Sequence, residues 1–287
     1  MRYQFMREHA TQFPITRLCA ALQVTRSGYY AWLTRPESAR AQEDTRLLEQ
    51  MTAIHQKSRQ TYGHRRIHAD LRQDGETCGK GRVARLMRQH KLVARLRRKH
   101  RMTTDSTHQE PVAPNLLNRQ FAVSAPDQVW VSDITYISTW EGWLYLATVM
   151  DLGTRQIVGW SMGTTLERSL AINALTDALQ RRRPAPGLIH HSDRGSQYAS
   201  RDYQQVLTAH GLIPSMSRKG NCWDNAPMES FFHSLKTERV YGAVYRTHAQ
   251  ARREIFEYIE VWYNRQRLHS ALGYLSPVQY EQRLRAA

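Results

Sequence analysis

Near residue 129 the chain stops following helical periods and begins to alternate. The run Val129-Trp130-Val131-Ser132-Asp133-Ile134-Thr135-Tyr136-Ile137 fixes what the surrounding sequence can become. β-branched and aromatic residues at this density predict a strand. Strands over 143–151 and 155–161 follow, with Gly142 and Gly153-Thr154 at the turns. A helix is expected at about 166–182, a strand at 188–191, a helix at 200–209 and a strand at 213–216. Two more helices are expected, one ending near Val240 and one over 248–264. Three meandering strands followed by alternating helices and strands predict an α/β fold, a mixed five-stranded sheet flanked by helices.

One residue does not suit its strand. Asp133 sits inside the β-branched run, where aspartate is depleted and an unpaired buried carboxylate is costly. Asp193 follows the apolar run Leu188-Ile189-His190-His191-Ser192 and precedes Arg194-Gly195. Glu229 stands early in a helix, after Trp223-Asp224-Asn225-Ala226-Pro227-Met228, where Asp224 or Asn225 would cap it. If the three meet, mutual repulsion opposes full ionisation, and one or two divalent cations remove the conflict. That arrangement suits phosphoryl transfer. Glu229, Phe232, His233 and Lys236 share a helical face, so Lys236 would reach phosphate beside the metals. A buried pair of Asp133 with Arg194 or Lys236 is the structural alternative. Asp151, Asp202 and Asp224 read as strand-end or capping carboxylates, and His190 and His191 as structural histidines.

The first hundred residues are helical throughout and carry the charge. Of a net +16, residues 51–101 hold 15 Lys+Arg against 3 Asp+Glu, while the flanking segments are nearly neutral. Charge so localised predicts a module that holds a polyanion. Ile15, Leu18, Cys19 and Leu22 form one helix face, and Thr25 caps a helix bearing Tyr29, Tyr30, Trp32 and Leu33, a first helix-turn-helix. A second pairs the helix of Ile67 and Leu71 with that of Val83, Leu86 and Met87. The candidate DNA contacts are Arg26, Tyr29, Arg65, Arg66, Arg82, Arg85, Arg88, Arg95, Arg97, Arg98, Lys99 and Arg101. Cys19, Cys78 and Cys222 have no ligand spacing, which argues against zinc or a disulfide framework. No segment approaches a signal peptide or membrane span, so a cytoplasmic, nucleoid-associated protein without membrane contact is expected.

Three stretches resemble one family: Trp130-Val131-Ser132-Asp133-Ile134-Thr135-Tyr136, His191-Ser192-Asp193-Arg194-Gly195-Ser196-Gln197-Tyr198 and Asp224-Asn225-Ala226-Pro227-Met228-Glu229-Ser230-Phe231-Phe232. They are similar to DDE transposases of bacterial insertion sequences with a retroviral-integrase-like core, in the subgroup made from a second reading frame. Arg26-Ser27-Gly28-Tyr29-Tyr30-Ala31-Trp32, Tyr62-Gly63-His64-Arg65-Arg66-Ile67-His68 and Tyr263-Asn264 through Ser276-Pro277 extend the resemblance over nearly the whole chain. It implies a ribonuclease-H-like sheet domain and Mg2+, with Mn2+ as a substitute. It implies Asp133, Asp193 and Glu229 as metal ligands and Lys236 as a further catalytic residue at the family's basic position. The partners implied are double-stranded DNA (terminal inverted repeats and target), further copies of the chain on that DNA, and an upstream-frame partner or fusion. The activity implied is strand cleavage and strand transfer. The expected organisation is a helix-turn-helix at 1–36, a basic helical module at 37–101, a linker at 102–122, a catalytic core at 123–240 and a helical extension at 241–287.

Overall fold

The computed structural model describes residues 1–95, 111–219 and 221–286. The expected contacts Arg97, Arg98, Lys99 and Arg101, with residues 102–110 of the expected linker, lie outside the described residues. The chain forms two compact units, Met1–Ala53 and Ile54–Ala287.

The first unit contains α1 (Arg2–His9), α2 (Ile15–Leu22) and α3 (Arg26–Thr34). The Thr25 hydroxyl accepts the Gly28 N–H at 3.1 Å and caps α3, as its position predicted. Met6, Leu18, Cys19 and Tyr29 make the core, with Tyr3, Ile15, Leu22 and Trp32 around them. Here one expectation fails. Tyr29 is 3% exposed and packs on Tyr3 and Trp32, so its ring holds the helices together and does not face DNA. The next helix, α4 (Ala39–Lys57), ends in the second unit.

In the second unit, α5 (His64–Gln73) and α6 (Lys80–Gln89) bury Ile67, Leu71, Val83, Leu86 and Met87 against one another and their surroundings. The sheet follows: β1 (Val129–Thr139), β2 (Gly142–Asp151), β3 (Ile157–Gly163), α7 (Arg168–Arg182), β4 (Ile189–Ser192), α8 (Ser196–Ala199), α9 (Arg201–Ala209) and β5 (Ile213–Met216). The strand order is β3-β2-β1-β4-β5, with β1–β3 antiparallel and β4 and β5 parallel to β1. The expected third strand begins two residues late. Asp151 accepts the Asp127 and Thr154 N–H groups at 3.0 and 2.9 Å, which commits Leu152–Gln156 to a turn.

One sheet face carries α7 and α9 over Trp130, Ala147, Val149 and Val158. A Cβ on Gly159 would collide with the backbone of Ala174 and Ala178, so glycine there lets α7 lie directly on β3. The other face carries α10 (Ala226–Leu235) and α11 (His248–Phe256), packed on Val129, Val131, Ile137 and Leu146. Both helices widen into π-helical turns, Lys236–Val240 and Glu257–Tyr263, where the sequence reading had continuous α-helix. The chain then forms α12 (Pro277–Ala286), which the sequence reading missed. Its signal is a capping box. Ser276 Oγ accepts the Gln279 N–H at 3.3 Å, and Gln279 Oε1 accepts the Ser276 N–H at 2.9 Å.

Candidate active site

The sheet register brings the two aspartates together. Ser132 on β1 pairs with Ser192 on parallel β4, so Asp133 and Asp193 are the next residues on adjacent strands. Neighbouring strands lie about 4.8 Å apart, and equal offsets in parallel strands point the same way. Asp133 falls on the face of Val131 and Ile137, the face that α10 covers. Each carboxylate is fixed locally: Asp133 Oδ1 accepts the Ile134 N–H at 2.7 Å, and Asp193 Oδ1 accepts the Gly195 N–H at 2.9 Å.

Glu229 arrives on the first turn of α10, where the helix dipole favours an anion. The expected side-chain cap is absent at Asn225. Its Nδ2 instead donates 3.2 Å to the carbonyl of Ser132, tying the start of α10 to the strand one residue before Asp133. Asp224 is also redeployed. It is buried and receives Arg218, Arg119 and Asn115, and the Arg218 bond leads in holding its carboxyl far below the usual range. That clamp fixes the loop before α10 and leaves Asp224 no chemical duty.

The electrostatics join the predicted residues into one group. Asp133 is pushed well above the ordinary carboxylate range by burial first and by Asp193 next, with Glu229 adding to both. The Ile134 N–H and Lys236 oppose that shift. Lys236 is 6% exposed, and burial draws its ammonium down while Asp133 draws it up. Its Nζ also lies 4.7 Å from the centre of the Tyr136 ring, a contact with no sequence signal. Asp193 and Glu229 are thus both within electrostatic reach of Asp133. Among the described residues, no group of three or more His, Cys, Asp or Glu side chains is gathered closely enough to hold a metal ion. The donor set nonetheless fits a hard divalent cation: three carboxylates, the central one starved of positive charge, with oxygen as the only ligand type.

The competing carboxylates and histidines have structural work. Asp151 is satisfied by Asp127 and Thr154, and Asp202 pairs with Arg168 at 3.3 Å while Ser200 caps its helix. His190 bonds Ser132 and Tyr203, and His191 bonds Ser215 and Ser217. Burial pushes them down to about 3 and about 4, so both are neutral. Arg194 donates to the Ser217 carbonyl at 2.6 Å.

The expected DNA contacts divide by exposure. Arg26, Arg65, Arg88 and Arg95 are exposed, and Arg82 and Arg85 are half-buried on α6, with Arg85 donating to Gln89. Arg66 instead turns inward, 5.5 Å over the Tyr62 ring and toward Arg267 and Glu238. Among the described residues no helix is long and apolar enough to cross a membrane.

Family models agree with this geometry. One described as an integrase core domain matches residues 123–222, a second integrase core domain matches 229–284, and an HTH-like domain matches 42–100. The chain is 48% identical over 266 residues to the insertion element IS600 uncharacterized 31 kDa protein of Shigella sonnei, covering 93% of this chain and 98% of that one. It is 44% identical over 283 residues to transposase InsF for insertion sequence IS3A of Escherichia coli K12, covering 98% of each. Among solved structures it is similar to a simian T-cell lymphotropic virus intasome in complex with PP2A regulatory subunit B56 gamma. That match has TM-score 0.47 and 15% identity, over 80% of this chain and 74% of that one. It is also similar to the HTLV-2 integrase catalytic core domain in complex with magnesium, with TM-score 0.41 and 13% identity, over 55% and 97%.

Proposed function

This chain belongs to the DDE transposases of bacterial insertion sequences, and on that footing we propose that Asp133, Asp193 and Glu229 hold its catalytic metal ions. The protein is a DNA transposase, a polynucleotidyl transferase with a ribonuclease-H-like core behind a DNA-binding helix-turn-helix region. The observation that carries the site assignment is the parallel pairing of Ser132 with Ser192, which sets Asp133 beside Asp193, while the Asn225–Ser132 bond ties the start of the Glu229 helix to the same strand. When bound, a pair of Mg2+ ions (Mn2+ as a substitute) would stabilise both the attacking and the leaving oxygen of an in-line displacement at phosphorus.

The chain's own residues do the rest. Backbone N–H groups hold one oxygen of each aspartate and so fix how the two carboxylates are presented. The bond from Asn225 to Ser132 fixes the angle at which α10 presents Glu229. Lys236, close to Asp133 and shielded from water, supplies a standing positive charge for an oxygen of the scissile phosphate. Arg26, Arg65, Arg82, Arg85, Arg88 and Arg95 supply phosphate contacts that position the duplex. Processing two element ends calls for more than one copy of the chain on DNA, and the product of an upstream frame acts as partner or fusion. The work takes place in the cytoplasm, on the nucleoid.

Purified protein with Mg2+ nicks DNA carrying the element's ends, and strands with free 3′-hydroxyls then join a target duplex. Asp133→Ala, Asp193→Ala and Glu229→Ala each abolish nicking while a gel shift retains DNA binding. A variant that still cuts removes its residue from the metal site.

A further inference from the structure

The Tyr263–Pro277 stretch matches the family without touching the carboxylates, and its residues instead build a cavity of about 420 Å³ on the flank of α10. Four arginines line it: Arg66, Arg95, Arg155 and Arg267. One carboxylate faces them, Glu238, and it is already committed to Arg267 through bonds of 2.7–2.9 Å. Arg66 and Arg155 make no carboxylate ion pair within 4.0 Å among the described residues: Arg66 lies over the Tyr62 ring and Arg155 reaches the Phe121 carbonyl, while Glu238 and Asp151 respectively act on them at longer range. Burial draws both guanidiniums down, and burial first, then Arg267, Arg66 and Arg155, draw the His269 ring well below the usual imidazole range. Arg155 is aimed by a left-handed backbone, φ 61°, in the turn after β2.

The rest of the lining mixes hydroxyl groups with apolar side chains such as Met150 and Pro227. Ser230, Ser234 and Thr237 come from the flank of α10 and the turn that follows it, and Thr61 from the segment before α5. Arginine forks and hydroxyl donors around a desolvated space are what a phosphodiester requires. Inorganic phosphate, a few water volumes in size, would leave most of 420 Å³ unfilled. Of the aromatic lining residues, Phe231 and Tyr263 are buried and Phe121 is half-buried. Ser230 adjoins Glu229 in sequence, so the cavity lies within about one helix diameter, roughly 10 Å, of the acidic site.

We infer that this arginine-lined cavity is a second DNA-backbone site, taking the sugar-phosphate that neighbours the bond presented to Asp133, Asp193 and Glu229. The inference rests on the transposase reading, but its test needs no metal. Anisotropy of a fluorescein-labelled 20-base-pair duplex, titrated with salt in EDTA, reads full-length protein and its variants. Arg155→Gln and Arg66→Gln should each lower the slope of log K against log salt by about 0.9 and weaken binding about five- to tenfold. Arg155→Lys should restore most of the slope, and Arg201→Gln, exposed on α9, should change nothing. Unchanged slopes in both glutamine variants, or an equal loss in Arg201→Gln, overturn the site.

Phenylglyoxal labelling of the unmodified protein gives the second reading, independent of how the variants fold. The duplex should shield Arg155, whereas 10 mM sodium phosphate alone should not. Equal shielding by phosphate would make this a free-anion site and end the DNA assignment. Failure of the carboxylate proposal would instead appear as nicking that survives in Asp133→Ala, with these binding results untouched.

Discussion

Two buried carboxylates in the second unit have had opposite fates. Glu238 and Asp133 are both withdrawn from water, and burial alone would raise both. Glu238 ends below the usual range because Arg267 grips it with Nε and Nη2, while Tyr258 and Trp262 donate at 3.0 and 3.3 Å. Asp133 receives a single backbone N–H, two carboxylates as neighbours and one half-effective lysine. Glu238 is a closed account of charge, and the fold leans on it. Asp133 is left with a deficit that only an added cation corrects. A carboxylate satisfied by its own chain is architecture, and one starved by its own chain is equipment.

The contrast can be broken from either side. Arg267→Ala leaves Glu238 buried without its main partner and should lower unfolding stability by about 3–5 kcal/mol in a urea melt. A loss under about 1 kcal/mol would show that Glu238 simply takes up a proton. Tyr258→Phe removes one bond to the same carboxylate and should lower stability by about 1.5–3 kcal/mol. Asp133→Asn should do the reverse, raising stability by about 0.5–2 kcal/mol in chelator at pH 8 as a strained functional site is relieved. The sign follows from protons. A carboxyl raised in the folded state holds its proton there after the unfolded chain has lost it. Native stability therefore falls as pH climbs from about 4 through the raised value. The advantage of Asp133→Asn should vanish near pH 4, and Mg2+ should erase it at pH 8 by stabilising only the native carboxylate. An advantage that is flat with pH would mean that Asp133 is not the strained group.

What could be read from sequence follows the same division. Asp133 stood out because a β-branched run surrounds it, and the strand pattern then located Asp193 and Glu229 at ends of elements. The network around Glu238 left no such trace. Glu238 and Arg267 are ordinary polar residues in ordinary helical contexts, and the π-helical turn that carries Glu238 has no compositional marker. Asp224 and Asn225 carried a correct signal, a helix start, yet the structure spends them on Arg218 and on Ser132. Tyr29 misled for a related reason: a family motif rich in aromatics marks a small core as readily as a contact surface. Only α12 was legible and overlooked, through Ser276-Pro277 and Gln279.

The pairing of Ser132 with Ser192 has an evolutionary corollary. Because facing alternates along a strand, inserting or deleting one residue within Ile189–Ser192 would rotate Asp193 to the opposite side of the sheet. The turn at 183–187 faces solvent and tolerates changes of length, but those four positions can drift only by substitution. Natural variation in this protein's lineage should therefore show gaps before Ile189 and none between it and Asp193.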